Sequence, residues 1–220
     1  MSVLPVTLLV VAKAPEPGRA KTRLAASVGD AVAAEIAAAA LLDTLDAVAA
    51  APVANRVVAM TGDLDRAAGA GEIGHRLRSF TVIPQRGEDF ADRLANAHAD
   101  AADGFPVLQI GMDTPQVTAE LLTDCARRLL AAPAVLGLAH DGGWWVLGVA
   151  APAMADCLRT VPMSQPDTGA LTLKALRDND IDVTPVPRLA DIDVLGDVAA
   201  VRRACGQASR FARVTRAAGL

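Results

Sequence analysis

The sequence predicts an α/β protein with a mostly parallel central sheet flanked by helices. Short apolar runs rich in β-branched residues recur along the chain, and alanine-rich segments of helical character separate them. Polar or glycine-rich clusters directly follow several of the runs. Alternation of strands and helices favours parallel pairing with right-handed crossovers. Ligands of such sheets bind beyond the carboxyl ends of the strands, so the clusters are candidate site segments.

The first predicted strand is VTLLVVA (6–12), a continuous apolar run typical of a strand that is buried on both faces. A helix follows over 30–50, where alanine, leucine and glutamate dominate. The strands 133–139 and 143–149 form a pair around the turn HDG. The remaining predicted strands are 55–62, 79–85, 105–111 and 181–187, and the remaining helices are 87–101, 119–130, 167–178 and about 205–218.

Several surface assignments accompany these elements. Asp89 and Arg93 lie four residues apart on a predicted helix, which favours an ordinary ion pair over the alternative, a contact with a nucleotide or sugar. His75 and His98 lie in polar helical segments, and we expect both to be exposed. The arginines of the last helix are expected to form a solvated basic face: Arg210, Arg213 and Arg216.

Composition restricts the classes of function. The 220 residues carry a net charge of −4, which argues against a nucleic-acid-binding surface and makes any anion binding local. The three cysteines are far apart without a CxxC pair, which suits a reducing cytoplasm. The apolar amino terminus lacks a basic leader, and no run is long enough to span a bilayer. We expect a cytoplasmic protein in which residues 1–220 form a single domain, with no membrane or nucleic-acid partner; the oligomeric state stays open.

The segment AKAPEPGRAKTRLA (12–25) concentrates positive charge after the first strand. Its prolines, Pro15 among them, prevent an immediate helix, and Gly18 permits a tight turn. Lys13, Lys21 and Arg23 would then face one point near a helix amino terminus, which suits a phosphate or diphosphate. A solvated basic loop that only precedes a helix explains the charge equally well. The segment is neither a Walker loop nor a Rossmann glycine motif.

Two acidic segments follow later strands. Asp113 comes directly after the strand 105–111, where a carboxylate can hold a divalent cation against phosphate oxygens. Helix capping is the alternative role, although Thr114 and Thr118 can cap equally well. Asp191 and Asp193 lie two apart in LADIDVLGD and would point to one side of an extended segment, whereas loop acids or a helix cap are the ordinary interpretation.

The segment AHDGGWWVLGV contains the third cluster. Asp141, Gly142 and Gly143 form a strong turn signal, and glycines also let the backbone approach a ligand closely. Trp144 and Trp145 face opposite sides of a strand, so one is expected in the core and the other on a pocket wall. No zinc spacing, nucleophile elbow or Ser-His-Asp set is present in the sequence.

Taken in order, AKAPEPGRAKTRLA, QRGEDFADRLANA, LQIGMDTPQVT, GLAHDGGWWVLGV and DIDVLGDV resemble the bacterial glycosyltransferase-A-like family also labelled radical-SAM/selenodomain-associated transferase. This family belongs to the nucleotide-diphospho-sugar transferase superfamily. The resemblance covers nearly the whole chain. The chain departs from the family pattern at Met112, Gln116 and Met163, at the two tryptophans, and in DVLGD.

The resemblance implies a single-domain GT-A fold with a nucleotide bound over the first strand–helix loop. Lys13, Lys21 and Arg23 would match its phosphate-binding loop, and Asp113 its metal-holding aspartate. Asp193 or Asp141 would complete the metal site.

From the residues and the resemblance together, we expect a Mg²⁺- or Mn²⁺-dependent transferase. Its donor would be a nucleoside triphosphate or a nucleotide-sugar, and its acceptor a small molecule, phosphorylated in the nucleotidyl case. In the nucleotidyl form Lys21 and Arg23 would stabilise the departing pyrophosphate, and in the glycosyl form a nucleoside diphosphate. The alternative is a nucleotide-binding accessory module without turnover.

Overall fold

A computed structural model describes residues 2–220. Its strands are β1 (Leu4–Lys13), β2 (Val53–Thr61), β3 (Thr81–Pro84), β4 (Val107–Gly111), β5 (Ala134–Leu138), β6 (Trp144–Val149) and β7 (Val183–Pro185). Its helices are α1 (Thr22–Val28), α2 (Asp30–Ala50), α3 (Ala70–Leu77), α4 (Phe90–Asp100), α5 (Ala119–Leu129), α6 (Thr168–Asp178), α7 (Leu195–Ala204) and α8 (Arg210–Ala217). Two 3₁₀ segments span Leu64–Arg66 and Pro152–Thr160.

The seven strands form one sheet in the order β3-β2-β1-β4-β6-β5-β7. Strand β6 runs antiparallel to both of its neighbours, β4 and β5, and the other pairs are parallel. The predicted α/β fold with a mostly parallel sheet is therefore confirmed. Because β6 is reversed, its first residue, Trp144, lies at the same edge as the carboxyl ends of β1 and β4. This edge collects the polar segments.

Helices cover both faces of the sheet. Alternate residues of β1 divide between two cores: Leu8 and Val10 pack on one face with α2 and α5, and Leu9 and Val11 pack on the other with α4. A third cluster joins α1, α2, α7 and α8, with Phe211 fully buried in it. The alternation follows from the strand period of two and explains why β1 is apolar on both faces.

The predicted elements occur with shifts of a few residues at their ends. The helix 30–50 is observed as α2 with the same bounds. Helix α3 and the two 3₁₀ segments were not predicted, and the last helix begins at Arg210 rather than near 205. No helix within residues 2–220 is long and apolar enough to cross a bilayer.

Three of the surface assignments were wrong. Asp89 caps α4 by accepting a hydrogen bond from the Asp92 amide at 2.8 Å, and it does not pair with Arg93. His98 is fully buried, because it lies on a side of α4 that packs into the protein. Arg210 pairs with acidic residues of α2 and α3 instead of facing solvent.

Candidate functional site

A cleft of about 720 Å³ opens at the edge where the parallel strands end. Its walls combine the loop after β1, the ends of β2 and β4, the amino-terminal part of α4, the start of β6 and the segments before α6 and after β7. The charged residues on these walls are Lys13, Arg19, Lys21, Arg23, Arg93, Asp113, Asp141, Asp191 and Asp193. Segments up to 180 residues apart in the chain therefore meet in one cavity.

The loop after β1 is held in a specific conformation. Gly18 and Lys21 both have positive φ angles, 75° and 49°. For a residue with a side chain the left-handed region costs about 1–2 kcal/mol, so surrounding contacts must hold Lys21 there. Lys21 is the residue that precedes α1, and its ammonium group is largely buried. The Lys13 ammonium donates to the Arg19 carbonyl at 2.9 Å.

Glu16 organises the inner side of this loop. Its side chain is only 2% exposed, and it accepts a hydrogen bond from the Asp63 amide at 3.1 Å. Pro15 is buried beside it and accepts from the Ala68 amide at 3.0 Å through its carbonyl. Pro15 and Gly18 therefore support the conformation of the loop, and neither residue lines the cleft.

Two ion pairs join the basic loop to the acidic segments. Lys21 Nζ lies 2.6 Å from Asp113 Oδ2 and also donates to the carbonyl of Ile192. Arg23 pairs with Asp193. Asp113 is not a helix cap, since Thr118 caps α5 by accepting from the Leu121 amide. The acids that the sequence proposes as metal ligands are thus paired with the cations that it proposes for phosphate.

Asp191 is the acid in the cleft whose protonation is most affected by its surroundings. Burial, together with the negative charges of Asp141 and Asp113, raises its pKa to about 6, while Lys21 opposes the shift. Three carboxylates therefore lie near enough to repel one another. The segment 191–193 presents both of its aspartates to the cleft, as its extended pattern predicts.

The carboxylates fit a hard divalent cation in their chemistry. Oxygen ligands suit Mg²⁺ and Mn²⁺, and a cation would offset both the burial and the neighbouring negative charges that raise the pKa of Asp191. Within residues 2–220, however, no three His, Cys, Asp or Glu side chains converge closely enough to form a ready metal site. A cation bound by Asp113 would have to replace Lys21 as its counter-charge.

The turn between β5 and β6 closes the cleft on the side of α6. Asp141 Oδ1 accepts a hydrogen bond from the Gly143 amide at 2.8 Å, and Asp141 and Gly143 line the cleft. Gly142, with φ 95°, lies beneath the segment before α6, and a Cβ there would be only 1.7 Å from the Pro166 carbonyl oxygen. Gly142 therefore permits close backbone packing rather than lining the cleft.

Trp144 and Trp145 face opposite sides of β6, as the strand period of two predicts. Trp145 is buried in the core, and its indole donates to the Pro187 carbonyl at 2.8 Å. Trp144 lines the cleft, and its indole nitrogen donates to Thr172 Oγ1 at 3.1 Å. That bond fixes the ring against α6.

Several residues that line or adjoin the cleft were not assigned to it from the sequence, or, like Arg93, only as the lesser alternative. Gln85 donates through one amide nitrogen to the carbonyls of Ala12 and Ala59, which ties the ends of β1 and β2 together. Gln116 donates to the Ala190 carbonyl and so connects the Asp113 segment to the segment of Asp191. Phe90 and Arg93 also face the cleft. In the sequence, nothing about Gln85 or Gln116 distinguishes these glutamines from ordinary loop residues that follow a strand.

Residues 44–165 match the protein family described as "Uncharacterized protein conserved in bacteria (DUF2064)". The match spans more than half of the chain. The chain belongs to this family. No curated protein sequence matches it.

Solved structures are similar to this DUF2064 chain over most of its length. A protein from Desulfovibrio desulfuricans, provisionally assigned as a nucleotide-diphospho-sugar transferase, is 26% identical with a TM-score of 0.85, covering 99% of this chain and 95% of its own. CMP:2-keto-3-deoxy-manno-octonic acid synthetase, solved with CTP, is 11% identical with a TM-score of 0.56 over 90% of this chain and 97% of its own. A Mycobacterium tuberculosis protein solved with manganese is 18% identical with a TM-score of 0.56, covering 90% of this chain and 97% of its own. The last two similarities show a common fold.

Proposed function

We propose that this protein is a divalent-metal-dependent transferase that uses a nucleotide donor, as the wider resemblance to glycosyltransferase-A-like transferases implies. We propose further that residues 1–220 act as a single nucleotide-binding domain. The observation that carries the proposal is the meeting of the basic loop after β1 with the acids after β4 and β7 in one cleft. The similarity to a provisionally assigned nucleotide-diphospho-sugar transferase supports the same reaction class.

The basic loop would bind the donor's phosphates. Lys21 and Arg23, with Lys13 at the loop's start, would stabilise the negative charge that develops on the leaving group. Their present partners are carboxylates of the cleft, so a phosphate would replace one anion by another at the same cations. The complex of a structural relative with CTP supports a nucleotide ligand for this fold.

Asp113 would be the principal metal ligand, and Asp193 or Asp141 would complete the site. Asp191 is supported as a further ligand by its burial and by its interaction with Asp113 and Asp141. A bound Mg²⁺ or Mn²⁺ would neutralise charge between the donor's phosphate oxygens. The complex of a structural relative with manganese supports a metal ligand for this fold.

Two forms of the reaction use the same residues. In nucleotidyl transfer an acceptor phosphate oxygen attacks the α-phosphorus of a nucleoside triphosphate, and pyrophosphate leaves. In glycosyl transfer the acceptor attacks the sugar carbon of a nucleotide-sugar, and a nucleoside diphosphate leaves. Identifying the released product, pyrophosphate or nucleoside diphosphate, separates them.

A second candidate is a nucleotide-binding module without turnover. The pairing of Asp113 with Lys21 and of Asp193 with Arg23 favours it, because these two proposed metal ligands already have counter-charges. Such a module would bind a nucleotide with equal strength with and without a metal and would release no product.

The test is a thermal-unfolding screen of nucleoside triphosphates and nucleotide-sugars, each with and without Mn²⁺. A ligand that binds the folded state raises the melting temperature, by about 2–4 °C for each kcal/mol in a protein of this size. We expect one class to stabilise the protein only with Mn²⁺, and Asp113→Asn to abolish that dependence.

Asp124→Asn is the matched control, because it removes a carboxylate that pairs with an arginine on the exposed face of α5. It should respond to the nucleotide as the unmodified protein does. No stabilisation by any nucleotide would refute the transferase. If a nucleotide stabilises the protein equally with and without Mn²⁺, Asp113→Asn does not change this, and no product is released, the accessory module is favoured.

A further inference from the structure

One side of the cleft is chemically different from the phosphate-binding loop. It is formed by the amino-terminal part of α4, the start of β6 and the segment before α6, and its apolar residues are Phe90, Leu94, Trp144 and Met163. A second cavity of about 440 Å³ adjoins it and shares Phe90, Met163 and Ser164 with the cleft. The apolar wall therefore continues into this second cavity through Phe90 and Met163, although Asp89 and Arg159 also line it.

Phe90 is unusually exposed for a large aromatic residue. It begins α4, whose other apolar residues except Ala99 are buried, yet 46% of its surface is accessible and it borders both cavities. Trp144 is held by its bond to Thr172. Thr168 fixes the segment that carries Met163, because its hydroxyl donates to the Pro162 carbonyl and accepts from the Gln165 amide. The wall is thus an ordered aromatic and aliphatic surface that faces open space.

Arg93 lies one turn along α4 from Phe90 and also lines the cleft. It is half-buried, yet within residues 2–220 it forms no ion pair, and its contact is a long one of 3.5 Å to the Gly87 carbonyl. The other cations of the cleft are engaged: Lys21 by Asp113, Arg23 by Asp193, Arg19 by Glu16 and Lys13 by a carbonyl. A guanidinium group at such a position matches a phosphate or carboxylate group.

We propose that Phe90, Trp144, Met163 and Arg93 form the acceptor subsite, and that the acceptor is a small organic anion with an apolar or planar body. The apolar wall would cover the body, and Arg93 would bind the anionic group. The identification of this ligand as the acceptor depends on the proposed transferase function; the binding surface itself does not. The phosphate-binding loop stays available for the donor, because its cations belong to different segments.

Isothermal titration calorimetry with 1-naphthyl phosphate, 1-naphthoate, methyl phosphate and 2-naphthol tests the two requirements separately. We expect 1-naphthyl phosphate or 1-naphthoate to bind at least about tenfold more tightly than methyl phosphate and 2-naphthol, since each of the latter satisfies one half of the site. Whichever naphthyl compound binds better identifies the anionic group as phosphate or carboxylate.

Arg93→Gln should weaken that binding about 10- to 100-fold, as loss of a charged hydrogen bond does. Phe90→Ser should weaken it about tenfold through lost apolar contact. The matched controls are Arg127→Gln and Leu130→Ser, which alter an exposed arginine and an exposed leucine at the end of α5. Both controls should leave the affinity unchanged.

Binding that is insensitive to Arg93→Gln and Phe90→Ser, or no binding of either naphthyl compound, overturns the subsite. Displacement of the naphthyl compound by a nucleoside triphosphate with Mn²⁺ would assign the wall to the donor and overturn the acceptor role. If no nucleotide stabilises the protein while Arg93-dependent binding persists, the transferase function fails and the anion-binding surface stands.

Discussion

The imidazole of His98 is fully buried on α4, and neither ring nitrogen has a hydrogen-bond partner within residues 2–220. Burial lowers its pKa to about 3, because the charged form cannot be solvated there. In the unfolded chain the pKa is near 6.5. Between those values the unfolded state binds a proton that the folded state does not, so the folded state loses stability as the pH falls.

We therefore expect the free energy of unfolding to fall by about 1.4 kcal/mol per pH unit through this residue between about pH 6 and pH 4. His98→Leu should remove that contribution, since an apolar side chain needs no partner and does not titrate. Urea unfolding at several pH values measures the slope. His75→Leu, on an exposed position, serves as the control. Parallel pH profiles for the unmodified protein and His98→Leu would contradict the prediction.

At the scale of elements, Asp43 of α2 fixes the last helix to the rest of the fold. It is 8% exposed and accepts hydrogen bonds from the Ser209 hydroxyl at 2.6 Å and from the amides of Arg210 and Phe211 at 3.0 Å. Arg210 also pairs with Asp46 and with Glu72 of α3. One carboxylate thus satisfies the amino-terminal donors of α8, which would otherwise be unpaired in a buried position.

Asp43→Ala should lower the free energy of unfolding by about 3 kcal/mol, because it leaves several buried donors without an acceptor. Urea unfolding followed by circular dichroism measures this change. Asp178→Ala removes an exposed carboxylate that pairs with Lys174, so it should cost less than about 1 kcal/mol. Equal losses in the two variants would show that Asp43 does not anchor α8.

At the scale of the whole molecule, the chain is acidic but its cleft concentrates cations at one edge of the sheet. The net charge of −4 does not attract a nucleotide, so the proposed nucleotide binding would depend on short-range contacts with the loop after β1. The two cations differ in their exposure to solvent. The side chain of Arg23 is 65% exposed, whereas that of Lys21 is 12% exposed. Screening by salt should therefore weaken the two unequally.

Raising NaCl from about 0.1 M to about 1 M shortens the screening length from about 10 Å to about 3 Å. We expect the affinity for the stabilising nucleotide to fall over this range, and Arg23→Gln to make the fall shallower than Lys21→Gln does. Calorimetric titration at constant pH and Mn²⁺ concentration measures both slopes. Identical slopes in the two variants would mean that exposure does not distinguish the two cations.

Much of this architecture could be predicted locally. The strand period separates Trp144 from Trp145, the apolar run of β1 indicates burial on both faces, and the alanine-rich segment 30–50 is α2. Parallel strands also place the segments of Lys21, Asp113 and Asp193 at one edge, whatever the exact packing. These features depend on neighbours in the chain, whose spacing the sequence displays directly.

Other features depend on which distant residues meet, and the tertiary structure alone decided them. Lys21 and Asp113 are 92 residues apart, and their pairing follows from the order of β1 and β4 in the sheet. His98 is buried because α4 packs against both β1 and the 3₁₀ segment Pro152–Thr160, and Arg210 is engaged because α8 packs against α2. By itself the sequence determined all seven strands, most of the helices and the edge where charges collect. Packing decided the partners of those charges, because burial and electrostatic interaction depend on distances in space rather than along the chain.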